Sequence, residues 1–288
     1  MPDERPRPDC PLVVAYGLGV NSTAMLVEFV QRNIRPDMIL FADTAGEKPE
    51  TYAYLPVIQR YLRTMGFPPV ETVRYKPVRA AYRTLEEQCL YTKTLPSLAY
   101  GGKSCSLKYK RAPQDKMILR HFPPADCVAQ GRRVVRALGF DASETRRTYA
   151  GVVKAIGLDA GETHRKTWAR TRPAKEQRPS REAWLDEHYF TYWYPLLTDW
   201  QMDRAACEQV IRDAGLPVPP KSACWFCPAT RKSEILWLRE HHPQLLGRAL
   251  TIERQALPGL TSVKGLGRSF AWADYLKRID HTPLFPGE

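Results

Sequence analysis

Leu12–Val13–Val14–Ala15–Tyr16–Gly17–Leu18–Gly19–Val20–Asn21–Ser22–Thr23–Ala24–Met25–Leu26 is the stretch on which the fold turns. Its apolar start reads as a short strand buried on both faces. Gly17 and Gly19 then turn the chain, and Asn21, Ser22 and Thr23 offer N-capping side chains for a helix striped with Met25, Leu26, Phe29 and Val30. A strand–glycine loop–helix unit aims free backbone N–H groups and the positive end of the helix dipole at one point, which attracts phosphate. The segment therefore predicts a nucleotide site; a tight turn with no ligand is the plain alternative.

Outward from this unit, strands and helices alternate. A second strand is expected at 38–43, then a helix at 49–65 opened by Pro49 and carrying Tyr54, Leu55, Ile58 and Leu62 on one face. A third strand follows near 72–75, an irregular stretch at 76–104, a helix at 107–120 and a strand at 133–138. Tyr189–Leu197 reads as a late strand whose aromatics serve the core, and helices are expected at 203–214, 231–254 and 269–279. Such alternation implies a Rossmann-like parallel α/β sheet with helices on both faces. Ligand then belongs at the carboxyl ends of the strands, where Gly17–Ser22, Asp43 and Gly139–Glu144 fall. The expected organisation is a tail at 1–10, an α/β domain at 11–200 and a mainly helical extension at 201–288.

The 288 residues carry a formal charge of +12, with a pI near 9.4. This favours an anionic partner: nucleotide phosphates would use part of the charge, and tRNA or DNA could use the rest, while a merely basic surface is the alternative. The run Thr163–Lys175, continuing to Arg178 and Arg181 with Trp168 inside it, suits a solvated loop and a nucleic-acid contact equally. With no signal core and no apolar run long enough to span a bilayer, a soluble cytoplasmic protein with no membrane partner is expected. Seven cysteines in such a chain suggest metal or redox chemistry more than a disulfide framework.

A Walker loop is excluded, because no lysine stands near Ser22; a dinucleotide fingerprint fits in part, with Asp43 as its acid. Three further segments favour another class. Met38–Tyr52, containing Asp43–Thr44 and Pro49–Glu50–Thr51, resembles the second-strand motif of phosphoadenylyl-sulfate reductases. Cys105–Pro113 resembles their Cys-Thr-x-x-Leu-Lys-x-x-Pro segment, with Lys110 at the family's lysine, and Leu138–Arg147 resembles Gly-x-Arg-x-x-Glu-Ser-x-Arg, with Phe140 where an arginine is common. Gly17–Ser22 resembles a Gly-Gly-Gly-x-Asn-Ser pyrophosphate loop in which Leu18 replaces a glycine. Over residues 11–150 the chain thus resembles the phosphoadenylyl-sulfate reductase-like branch of the pyrophosphate-loop, adenine nucleotide alpha hydrolase superfamily. That resemblance implies a HUP-type sheet.

Cys224–Trp225–Phe226–Cys227 is a Cys-x-x-Cys pair, which by itself does not fill a tetrahedral metal site; Cys105 is the natural third ligand. Reductases of adenylyl sulfate pair a Cys-Cys ahead of the Lys-x-x-Pro segment with a later Cys-x-x-Cys to hold a 4Fe–4S cluster. This chain is similar, with Ser104 in place of one cysteine. Three thiolates would leave one iron open, as in the three-cysteine clusters of pyrophosphate-loop tRNA sulfur-transfer enzymes. Zinc, a redox disulfide and plain buried thiols stay open beside the cluster. Cys10, Cys89, Cys127 and Cys207 read as packing residues. The reductases' C-terminal Glu-Cys-Gly-Leu-His segment has no counterpart after Cys227, so reduction of activated sulfate falls to second place.

The resemblance then implies an ATP-dependent enzyme that adenylylates a substrate, releases pyrophosphate and passes sulfur to the activated carbon. Gly17, Gly19, Asn21, Ser22, Thr23, Asp43, Thr44, Gly139 and Glu144 would bind the adenine nucleotide with magnesium. Lys110, Arg146 and Arg147 would stabilise phosphate charge, and Asp43 would position nucleotide or metal. A cysteine desulfurase or another sulfur donor is an implied partner. The oligomeric state is open, and a non-catalytic nucleotide-binding module is the remaining alternative.

Overall fold

The apolar run Leu12–Tyr16 forms β1, the central strand of a five-stranded sheet. The others are β2 (Met38–Asp43), β3 (Val70–Arg74), β4 (Val134–Leu138) and β5 (Phe190–Trp193), in the order β3-β2-β1-β4-β5. β1 runs parallel to β2 and to β4, and β4 runs parallel to β5. The computed structural model describes residues 9–124, 126, 133–139 and 189–280.

The two-residue period of the strands splits the apolar side chains between two faces. Leu12, Val14, Tyr16, Ile39, Phe41, Val135, Ala137 and Trp193 pack with α1 (Val20–Gln31) and α2 (Pro49–Thr64). Val13, Met38, Leu40, Val134 and Phe190 face Ile118 of α4 (Ala112–His121) on the other side. Each such aliphatic or aromatic side chain, fully buried, contributes about 1.5–3 kcal/mol. On the α4 face a buried Arg136 donates to Asp115 at 2.6 Å and to Gln114 at 2.5 Å, so the one charge in β4 is matched. The α/β parallel architecture with helices on both faces is as expected.

The described residues pack as two compact units. The first draws on Met1–Ala42, Pro49–Val73 and Gln114–Ser222; the second draws on Asp43–Lys48, Arg74–Pro113 and Ala223–Glu288. α5 (Pro195–Thr198) and α6 (Arg204–Asp213) belong to the first, where Leu196, Cys207 and Ile211 join the core around α1. The second has its own core. α3 (Leu85–Thr92), α7 (Lys232–His241), α8 (Pro243–Ala256) and α9 (Trp272–Asp280) surround Tyr109, Phe226, Ile235, Ile252 and Trp272. Among the described residues no helix is long and apolar enough to cross a membrane.

Several boundaries differ from the sequence reading. α1 starts at Val20 with Gly19 as its N-cap, so Asn21, Ser22 and Thr23 lie in its first turn instead of capping it. The irregular 76–104 contains α3, held by a capping box of Thr84 and Glu87. Pro243 divides the long helix expected at 231–254, and Pro195 ends the late strand, because proline cannot donate the bond that either element needs.

Candidate functional site

In the first unit the loop after β1 is built around one strained residue. Leu18 sits at φ 56°, in the left-handed region where glycine is natural, and is fully buried. That conformation costs a non-glycine residue on the order of 1–2 kcal/mol, and burial of the leucine side chain offsets it. Ser22 braces the turn: its Oγ accepts from Gly17 N–H at 3.3 Å and donates to Gly19 C=O at 3.1 Å. Thr23 is fully buried with its hydroxyl 3.0 Å from the Tyr16 hydroxyl, which makes it a core contact. Asn21 accepts from Arg204 Nη1 at 3.4 Å.

The first turn of α1 holds no acidic residue, and no side chain caps it. Its leading N–H groups, which have no partner within a helix, therefore keep their positive potential. Gly17 and Gly19 add room. Neither has a positive φ, and a Cβ placed on them would meet nothing closer than 3.8 Å and 3.5 Å. Fold and packing would both accept a side chain there. Gly139, at the end of β4, is different: its Cβ would stand 2.7 Å from Ser22 Cα and 2.8 Å from Ser22 N. It acts by letting β4 and the start of α1 approach. β1 and β4 flank the point where the strand order reverses, the usual ligand crevice of such a sheet.

The second unit gathers a different set of expected residues. Asp43 accepts from Ala45 N–H at 2.7 Å and from Arg74 Nε at 2.8 Å, so it pins its own loop. Ala45 is left-handed at φ 59°. The Thr44 hydroxyl accepts from Gly46 N–H at 3.2 Å and stands 3.3 Å from Cys224 Sγ. Gly46 C=O accepts from Trp225 N–H at 2.8 Å, and Glu47 bridges Cys224 in antiparallel fashion. The loop after β2 thus pairs with the Cys-x-x-Cys turn, which closes by a 3.0 Å bond from Cys227 N–H to Cys224 C=O.

Lys110 enters from a π-helical stretch, Leu107–Arg111, that precedes α4; such stretches are frequent at functional sites. Its Nζ lies 3.2 Å from Glu47 Oε1, and the Glu47 side chain is wholly buried with Oε2 lacking any hydrogen-bond partner. The Glu47 carboxylate raises the Lys110 pKa against the effect of burial, with Cys224 and Cys227 adding to the rise. Burial pushes up the thiols of Cys224 and Cys227, while Lys110 draws them down. Cys105 is near enough for its charge to weigh on Cys227, and its N–H donates to Ser97 Oγ at 2.9 Å. An all-sulfur donor set suits iron–sulfur or zinc. Among the described residues, however, no group of three or more His, Cys, Asp or Glu side chains is placed to hold a metal ion.

Of the expected residues, then, Gly17, Gly19, Asn21, Ser22, Thr23 and Gly139 lie together in the first unit. Asp43, Thr44, Lys110, Cys105, Cys224 and Cys227 lie in the second. Glu144, Arg146, Arg147, Cys127 and the basic run from Thr163 fall outside the described residues. Glu47 was missed, although it stands inside the Met38–Tyr52 motif; its lysine partner is too distant in sequence for spacing to reveal. Cys10, Cys89 and Cys207 are buried packing residues, as expected.

No family model matches the chain, and no curated protein sequence does. Among solved structures it is similar to the U34-tRNA thiolase NcsA from Methanococcus maripaludis with its 4Fe–4S cluster. That likeness is 11% identity over 97% of this chain and 84% of the other, with a TM-score of 0.36. A resemblance of that degree leaves function to be argued from the residues themselves.

Proposed function

We propose that the chain is an ATP-dependent enzyme of the pyrophosphate-loop type that adenylylates its substrate and then exchanges the activated oxygen for sulfur. The observation that carries this reading is the loop Gly17–Ser22: two glycines that neither backbone nor packing requires, ahead of an uncapped, acid-free helix. Glycine kept where a side chain would fit is what close approach of a phosphate demands. The loop N–H groups would hold the β- and γ-phosphates, with magnesium sharing their charge.

In the reaction a substrate oxygen attacks the α-phosphorus, the bond to the β-phosphate oxygen breaks, and pyrophosphate leaves. A sulfide sulfur then attacks the activated carbon, forming C–S, breaking C–O and releasing AMP. Arg146 and Arg147 are proposed to meet phosphate charge, and Glu144 to contact the nucleotide. Lys110, Asp43 and Thr44 are proposed to serve the same chemistry, with Lys110 also balancing thiolate charge at Cys224 and Cys227. Cys105, Cys224 and Cys227 are proposed to hold an iron–sulfur cluster, which when bound would supply an iron open to sulfur. The acceptor is proposed to be a nucleic acid, in keeping with the +12 charge.

The test is equilibrium binding of ATP to the full chain and to Gly19→Asp. Space beside Gly19 lets the variant fold, and the new carboxylate would repel phosphate. Loss of binding with an unchanged circular dichroism spectrum supports the site; unchanged affinity removes it.

A further inference from the structure

The stretch from Tyr75 to Lys103 of the second unit carries exposed side chains that serve neither the phosphate loop nor the cysteines. The acids in this stretch are Glu86 and Glu87, and both are engaged. Arg248 bonds Glu86 through Nε at 2.8 Å, and Glu87 accepts from the backbone of Arg83 at 2.6 Å and of Thr84 at 3.3 Å. Lys76, Arg79, Arg83 and Lys93 meanwhile stand exposed. The same stretch exposes large apolar groups: Val78 is 95% exposed, Tyr91 67% and Tyr100 44%.

The rings are held in place. Buried Tyr109 packs edge-on against Tyr75, with centroids 4.9 Å apart. Lys108 lies over the rings of Tyr75, Tyr82 and Tyr109 and donates to the Tyr82 hydroxyl at 3.1 Å and to Gln88 Oε1 at 2.8 Å. Tyr82 in turn supports Tyr91, with centroids 5.8 Å apart. Tyr91 is thus the most exposed ring of an anchored aromatic ladder, with exposed Lys93 two residues on in the chain. Rings fixed in this way lose little entropy when a flat partner stacks on them. From Tyr100 the chain runs into Cys105, which is tied back to Ser97.

We propose that this segment binds an unpaired stretch of polynucleotide, its bases stacking on Tyr91 and Tyr100 and its phosphates meeting Lys76, Arg79, Arg83 and Lys93. Stacking requires bases freed from a duplex, so a single strand or a loop fits and a continuous duplex does not. The proposal rests on the reading of the chain as a nucleic-acid-modifying enzyme and names the form of its substrate.

The test uses the full chain and labelled oligonucleotides of about 20 nucleotides, as single-stranded DNA, single-stranded RNA and duplex, followed by anisotropy across a salt series. At least one single strand should bind ~10-fold or more tighter than the duplex, and which one identifies the polymer. Tyr91→Ala should weaken binding by ~10-fold, whereas Tyr91→Phe should hold it. The pair Arg79→Ala and Arg83→Ala should weaken binding and flatten the salt slope by about 1. The pair Arg60→Ala and Arg63→Ala, of equal charge on exposed α2 positions, should do neither. All these variants should bind ATP as the parent does, and Gly19→Asp should keep its oligonucleotide affinity. Failure of the nucleotide reading would therefore leave this result standing, and the reverse. Equal losses from the two arginine pairs, duplex binding as tight as single strand, or no binding at all would overturn the proposal. So would competition by polyglutamate as strong as by oligonucleotide, or a dimer in light scattering that Tyr91→Ala dissociates.

Discussion

Gly139 closes on Ser22 so tightly that a β-carbon on the glycine would stand 2.7 Å from the serine Cα. Gly17 and Gly19, in the loop that the serine braces, face no such crowding. Glycines that look alike in sequence thus do different work: Gly139 lets two elements meet, and the other two leave space. Gly139→Ala should cost about 1–3 kcal/mol in urea unfolding, the usual penalty of overpacking, and should weaken ATP binding by displacing the start of α1. Gly17→Ala should change stability by less than about 1 kcal/mol while weakening ATP binding to a similar degree. Equal destabilisation by both would show that the loop glycines serve folding alone.

Lys110 and Glu47 supply a second expectation. The Glu47 carboxylate is wholly buried, whereas the Lys110 side chain is 39% exposed. Lys110→Met strands a buried carboxylate and should cost about 3 kcal/mol, the low end for a broken buried pair because the lysine stays partly in water. Glu47→Leu combined with Lys110→Met should recover part of that loss, since no unpaired charge remains. A denaturation double-mutant cycle measures the coupling, and strict additivity would contradict the pairing.

The sheet was legible chiefly through β1 and β2, which are nearly continuous apolar runs; β2 falls where Met38–Asp43 placed it. The loop after β1 was legible as a turn, but Ser22 was misplaced as a cap because its hydroxyl bonds backward to Gly17 and Gly19. α3 was overlooked in a short, polar, proline-flanked stretch, although Thr84-x-x-Glu87 is a capping-box signature that could have revealed it. The grouping of Cys105, Cys224 and Cys227 rests on resemblance and stays a proposal. Glu47 was not legible, because only tertiary structure brings its partner to it. The discontinuous second unit was invisible for the same reason: the segments that build it are far apart in the chain.

For the cysteines, anaerobic purification followed by iron and sulfide assay should find iron in the parent. Cys105→Ala, Cys224→Ala and Cys227→Ala should each lose it together with its visible absorbance. Cys10→Ala and Cys207→Ala should retain it, because both thiols lie in the core of the first unit. Zinc in place of iron would redirect the assignment, and the absence of both would end it.

Stability should fall on the alkaline side. Burial pushes the Tyr54 phenol from 10.0 to about 12, and burial raises Tyr16 further, although its hydrogen bond with Thr23 pulls back. Unfolded tyrosines release their protons near pH 10, while the folded chain still holds these two. The stabilisation present below pH 10 is therefore lost as pH climbs through about 12, since the unfolded state gains by ionising first. Unfolding midpoints across this window, read beside tyrosinate absorbance, check the sign. Tyr54→Phe should flatten the decline.

The central claim concerns which bond of ATP is broken. The most direct measurement incubates the full chain anaerobically with ATP labelled at both the α- and γ-phosphates, magnesium, sulfide and single-stranded nucleic acid, and separates the products. AMP and pyrophosphate in equal amounts are expected, both absent with Gly19→Asp. ADP with inorganic phosphate, or intact ATP under conditions where binding is demonstrated, would contradict it.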